Sequence, residues 1–199
     1  MITQSKIRLA QASDEPELLH LFRLMHAEGG FRKLSIDRVR ATFARAFEKK
    51  GGILAVIGAP GQIRAMMFLL ITQHFYTDES HIEELWNWVH PEHRRSDYSK
   101  LMIDYAKLCS DRISADSVAA NGEKVPLIMG VLTNRRMSAK VRLYRRFFGW
   151  PVGAFFLYNA PWITKEDMCE EDIWKIPSIA RRFFKHEDRA VREKVRARA

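Results

Sequence analysis

Cysteine is nearly missing from this chain: Cys109 and Cys169 are the only two among 199 residues. Two thiols cannot build a disulfide scaffold, and they fit a reducing compartment. No Cys-Cys zinc spacing occurs. Long apolar runs are missing as well. The longest, residues 65–72, falls far short of the ~20 residues that span a bilayer. The opening segment, MITQSKIRLAQ, carries no apolar core behind Lys6, so a signal peptide is not expected. Neither a Walker loop nor a Gly-x-Gly-x-x-Gly run is present, and the glycines sit in turns. His20, His26, His74 and His186 are scattered, while His90 and His93 flank Pro91 in a loop, so no metal is expected. There is no internal repeat and no low-complexity segment.

What is there is globular. Hydrophobic residues make up 47% and aromatics 11%, too apolar for a disordered chain. A chain of this length can bury about 70% of its unfolded surface without staples. Lys and Arg number 33 against 24 Asp and Glu, a net charge of +9. That balance suits nucleic acid, an anionic membrane surface or a phosphate-bearing cofactor. The charge is uneven. Arg135, Arg136, Lys140, Arg142, Arg145 and Arg146 follow one another with no acid between, and residues 181–199 hold eight cations against Glu187, Asp188 and Glu193. An acidic stretch, residues 166–172, lies between them and is expected to be a solvated face. The expectation is a soluble, cytoplasmic protein.

Periodicity orders the elements. Ile7 and Leu9 alternate as a short strand. Ser13 or Asp14 is expected to cap a helix with Leu18, Leu21, Phe22 and Met25 on one face. Ser35 caps a second helix carrying Ile36, Val39, Phe43 and Phe47. Residues 53–57 and 63–72 flank Ala59-Pro60-Gly61 as a hairpin. Residues 81–89 form a Trp-rich strand, and Tyr98, Leu101, Met102, Tyr105, Leu108, Cys109 and Ile113 make a helical stripe. Residues 115–123 are expected to be a polar loop, 125–132 a buried strand, 137–148 a helix and 152–158 a last strand. The order is β-α-α-β-β-β-α-β-α-β: an α/β (α+β) chain with a mixed twisted sheet of about six to seven strands. Residues 1–160 would form the domain and 161–199 a helical basic extension, with Ile176, Ile179, Ala180, Phe183 and Phe184 on its packing face. The strand–helix–strand unit over residues 81–132 should be a right-handed parallel crossover, which puts ligands at the strands' C-terminal ends.

Two segments carry a resemblance. Leu85-Trp86-Asn87-Trp88-Val89-His90-Pro91-Glu92-His93-Arg94 leads into Arg95-Ser96-Asp97-Tyr98-Ser99-Lys100, and Asn134 precedes Leu143-Tyr144-Arg145-Arg146-Phe147-Phe148-Gly149-Trp150. They resemble the Val-x-Pro-x-x-Arg run, the pyrophosphate loop and the Asn…Leu-Tyr-x-x-x-Gly-Phe element of the GNAT superfamily of acyl-CoA-dependent N-acyltransferases. The likeness covers roughly residues 6–158. Arg94-Arg95-Ser96 with residues 140–156 is most similar to members encoded by phages and prophages, which would place the protein in the host-cell cytoplasm.

The resemblance implies acetyl-CoA as cosubstrate, an unidentified primary amine as acceptor, and direct attack without a covalent enzyme intermediate. It implies that Arg94, Arg95, Ser96, Asp97, Tyr98, Ser99 and Lys100 hold the pyrophosphate and that Trp88, Val89 and Asn134 serve the rest of the cofactor, with the Val89 N–H facing the thioester carbonyl. Tyr144 would protonate the leaving thiolate. Glu83 or Glu84 would be the base, with His90 the other candidate. Adjacent Glu83 and Glu84 face opposite ways on a strand, so one alone can meet the site; counting back from Arg94 favours Glu83, and a β-bulge would swap them. Asp97 and Ser99 stand where the family has small residues, and Asp97 sets a negative charge where an anion should dock. An alternative follows from that departure: a GNAT-fold protein with weak or lost acyl transfer, serving as a basic binding or virion-associated structural protein. The extension would then hold a second copy, nucleic acid or a larger assembly, and no membrane.

Overall fold

A computed structural model of the chain describes residues 7–30, 32–131, 133, 136–151 and 153. Apart from Gly153, the strand expected at residues 152–158 lies outside these described residues, as do the extension from residue 161 and Asn134. The described elements are first β1 (Ile7–Leu9), then α1 (Glu15–Gly29) and α2 (Ile36–Phe47). The hairpin follows, β2 (Gly52–Ile57) and β3 (Ala65–Gln73), then β4 (Ser80–Val89), α3 (Tyr98–Asn121), β5 (Leu127–Ile128) and α4 (Met137–Phe148). Among the described residues five strands lie in the order β1-β2-β3-β4-β5. The first four pair antiparallel, and β4 pairs β5 in parallel, as the crossover reading requires.

Alternation along the strands divides the core in two. Leu54, Val56, Met66, Phe68 and Trp88 meet Leu18 and Leu21 of α1 and Val39 and Phe43 of α2 on one face. Ala55, Ile57, Met67, Leu69, Ile82 and Val89 meet Met102 and Ala106 of α3 on the other. Ser35 caps α2, its Oγ accepting the Arg38 N–H at 3.5 Å. The hairpin turns at Gly58, where φ is +124° and an added Cβ would sit 2.1 Å from the Gln62 carbonyl oxygen. Glu17 fixes that turn to α1 by accepting the Gly61 and Ile63 N–H groups at 2.8 and 2.6 Å.

Three expectations need correction. Asp14 stands at the N-cap of α1 as expected, but its side chain makes no capping bond there; its carboxylate accepts from Arg8 at 2.7 and 2.9 Å and from the Gln11 N–H at 2.8 Å. Residues 115–121 continue α3 rather than forming a loop, and Gly122 ends it at φ +81°. Ser114, on the same helix, gives the reason: its Oγ both donates to the Val125 carbonyl and accepts the Val125 N–H, at 3.1 and 3.0 Å, so a polar residue serves the packing. Among the described residues of the expected strand 125–132, Leu127 and Ile128 alone pair as strand, and Ile128 is exposed.

Candidate active site

The antiparallel register between β3 and β4 breaks once. Phe68 pairs Trp86 and Leu69 pairs Glu84, so Leu85 is an extra residue, a β-bulge, and its side chain is exposed. The bulge sets which face each of the adjacent glutamates takes. Glu84 shares the α3 face with Leu69 and is 5% exposed, while Glu83 is half-buried beside it.

Parallel pairing ends just there. β5 matches β4 only at Ile82–Leu127 and Glu83–Ile128, and β4 runs on to Val89 with no β5 partner among the described residues. Glu84 fills the fork. Its Oε2 accepts the Tyr144 hydroxyl at 2.6 Å, its Oε1 accepts from Lys140 Nζ at 3.1 Å, and the Gly130 N–H also donates to it. Lys140, Tyr144 and Phe148 stand four apart on α4 and so share one face. Lys140 Nζ lies 5.3 Å from the Tyr144 ring centroid. Burial raises the Glu84 carboxyl above the usual glutamate range; Lys140 and Tyr144 pull the other way without cancelling it. Burial, then Glu84, lifts the Tyr144 hydroxyl well above its ordinary value, while Asn87 opposes. Asn87 lies on the same strand, and its Oδ1 is buried with no hydrogen-bond partner among the described residues.

At the end of β4 the peptide directions are fixed by the ladder. The His90 N–H donates to the Arg64 carbonyl on the β3 side at 2.8 Å. Val89, opposite Ala65, therefore turns its N–H and C=O to the edge away from β3, which has no strand partner among the described residues. The Val89 carbonyl accepts from Arg94 Nε at 3.2 Å. A short 3-10 turn, Pro91–His93, then leads to α3. Ser96 Oγ donates to the His93 carbonyl at 2.6 Å and accepts the Tyr98 N–H at 3.3 Å. Tyr98 OH accepts from Arg64 at 3.2 Å. Arg95, Ser96, Asp97 and Lys100 are exposed, and the Asp97 side chain makes no capping bond.

Solved structures share this fold. A possible acetyltransferase from Clostridium difficile 630 superposes with TM-score 0.57 at 14% identity, over 77% of this chain and 95% of that one. The aminoglycoside antibiotic 6'-N-acetyltransferase AAC(6')-IG from Acinetobacter haemolyticus gives 0.52 at 15% identity, over 79% and 99%. A ribosomal-protein-alanine N-acetyltransferase from Brucella melitensis biovar Abortus 2308 gives 0.51 at 14%, over 76% and 96%. The fold is the GNAT fold. No protein-family model and no curated protein matches the chain. Among the described residues no helix is long and apolar enough to cross a membrane.

Within the GNAT fold the expected residues fall into two groups. Glu84 and Tyr144 meet at the fork, and Trp88 and Val89 end β4 above it, both buried. Arg94–Lys100 form the turn into α3. The Arg94 guanidinium is engaged by Glu28 of α1, Nη2 lying 2.5 Å from both carboxylate oxygens. His90, Glu92 and His93 bring potential ligand atoms within 4.8 Å of one another, but His90 Nδ1 faces the Glu92 N–H at 3.4 Å and two arginines follow. Lys140, Asn87 and Glu28 were missed. Their partners lie up to 66 residues away in sequence, and no local pattern announces such contacts.

Proposed function

We propose that the chain is an N-acetyltransferase that moves the acetyl group of acetyl-CoA directly onto a primary amine. The observation that carries this reading is the fork between β4 and β5, lined by Glu84, Tyr144, Asn87 and the outward Val89 peptide. Val89 offers an N–H on the open edge, suited to a thioester carbonyl oxygen as charge develops on it. The orphaned Asn87 Oδ1 suits an amide N–H such as pantetheine carries. Exposed Arg95 and Lys100 and the first turn of α3 would face the pyrophosphate. Arg94 supports that turn from beneath.

In the transfer, the amine nitrogen bonds to the acetyl carbon and the carbon–sulfur bond breaks. One proton leaves the nitrogen and one must reach the thiolate. Tyr144 is the nearest expected partner of the sulfur. With its pKa lifted above an ordinary tyrosine's, it is a weaker acid than a thiol of about 8.5, so full proton loss to the thiolate is uphill. Its service is a hydrogen bond that steadies the thiolate. Glu84, its carboxyl raised by burial, holds a proton more readily than a free glutamate; protonated, it would donate to the Tyr144 oxygen and free the Tyr144 O–H for the sulfur, so that a proton passed through Tyr144 to the thiolate is replaced from Glu84. Glu83 or His90 would serve as the base toward the amine, directly or through water. The narrower likeness to phage- and prophage-encoded members rests on sequence wording alone.

Thermal unfolding with and without acetyl-CoA tests the reading. A ligand at a hundredfold over Kd stabilises by about 2.7 kcal/mol. Product formation on a panel of amines, followed by mass, then names the acceptor. No stabilisation at millimolar acetyl-CoA overturns the reading in favour of a GNAT-fold binding protein.

A further inference from the structure

We propose that Glu28 is a positioning residue which acts through Arg94 to fix the Val89 peptide and the turn into α3; this rests on the acetyl-transfer reading above. Glu28 lies near the end of α1, 66 residues from Arg94, yet its carboxylate joins two parts of the site. Trp88 Nε1 donates to Oε2 at 3.0 Å, and Arg94 Nη2 donates to both oxygens at 2.5 Å. The same guanidinium lies 5.9 Å from the Trp88 ring centroid and gives its Nε to the Val89 carbonyl. A continuous chain therefore runs from α1 to the peptide at the open edge of β4. The next residue of α1 borders the region after β5: a Cβ on Gly29 would lie 2.8 Å from Thr133 Oγ1.

Charge agrees with this arrangement. Burial would raise the Glu28 carboxyl, but the hydrogen bonds from Arg94 and Trp88, together with the charges of Arg94 and Arg136, outweigh it and hold the group below the usual glutamate range. Glu28 thus stays ionised and keeps the Arg94 fork aimed. Arginine is needed because one planar group must serve a carboxylate and a carbonyl at once; lysine offers a single point donor.

A direct rival makes the opposite forecast. If Arg94 instead swings out to the pyrophosphate, Glu28 competes with the cofactor, and E28Q would tighten binding. Positioning predicts that E28Q weakens acetyl-CoA binding roughly tenfold in calorimetry, the size expected for losing one charge-assisted bond. It also predicts a fall in kcat with the amine KM unchanged. R94K should mimic E28Q, although it keeps the positive charge. Tighter or unchanged binding in E28Q, or an R94K chain that behaves as wild type, overturns the proposal. Hydrogen exchange separates this from the parent reading. If the wild-type chain binds no acetyl-CoA, acetyl transfer fails, while faster amide exchange over residues 89–97 in E28Q still supports the tie. Unchanged exchange there refutes the tie whatever the ligand result.

Discussion

A carboxylate that is 5% exposed must be met by donors, and Glu84 is met by three: a hydroxyl, an ammonium and a backbone N–H. The cost of burial still wins, and the folded-state pKa is raised. Between the unfolded value, about 4.3, and the raised one, the folded chain binds the extra proton, so stability falls as pH climbs through that window. E84Q removes this titration. Melts taken from about pH 4 upward should show the wild type losing stability relative to E84Q, and parallel curves would refute the assignment. Y144F probes the neighbouring oxygen. It leaves Glu84 Oε2 short of a donor, so it should cost about 1–3 kcal/mol in denaturant melts. If the hydroxyl also steadies the thiolate, kcat should drop by roughly 10²–10³, the usual loss for one donor aimed at developing charge. Activity that survives Y144F at several pH values would leave the residue a purely structural role.

The N-terminal turn of α3 shows what one element can tolerate. Asp97 is the residue before Tyr98, with φ −85°, an exposed side chain and no capping bond. Its carboxylate gives the helix little and sets a negative charge where the pyrophosphate is proposed to lie. D97G should therefore tighten acetyl-CoA binding while costing about 0.5–1 kcal/mol in backbone entropy, since the native φ does not need glycine. Weaker binding in D97G would mean that the carboxylate makes a contact the cofactor site needs. Sequence reading served such elements unevenly. The helical stripes of α1 and α2 and the hairpin around Pro60 were legible because a single period ran through each. The last turns of α3 were not, since Ser114 works inward and Ala119 and Ala120 carry no stripe. Glu83 and Glu84 stayed ambiguous because the bulge at Leu85 is a pairing event between strands, and alternation alone counts it wrongly.

At the scale of the whole molecule, the sheet brings together groups that lie far apart along the chain: Glu28 and Arg94, Glu84 and Tyr144, Glu17 and the hairpin turn. All of these groups lie between Glu17 and Tyr144. Charge gives the expectation for the last residues. Residues 187–199 carry five cations against three anions, so a chain ending at His186 falls only from +9 to +7. Its attraction for a phosphate-bearing ligand is nearly unchanged. Beyond Phe184 the only apolar side chains larger than alanine are Val191 and Val195, too few to anchor a long segment. A chain truncated after His186 should therefore fold, melt within a few degrees of the full chain and bind acetyl-CoA with the same Kd. If residues 187–199 are an arm for a polyanion, affinity for nucleic acid should fall in the same truncation, with a shallower salt dependence. Loss of folding or of acetyl-CoA binding would show instead that these residues belong to the domain, and the arm would be abandoned.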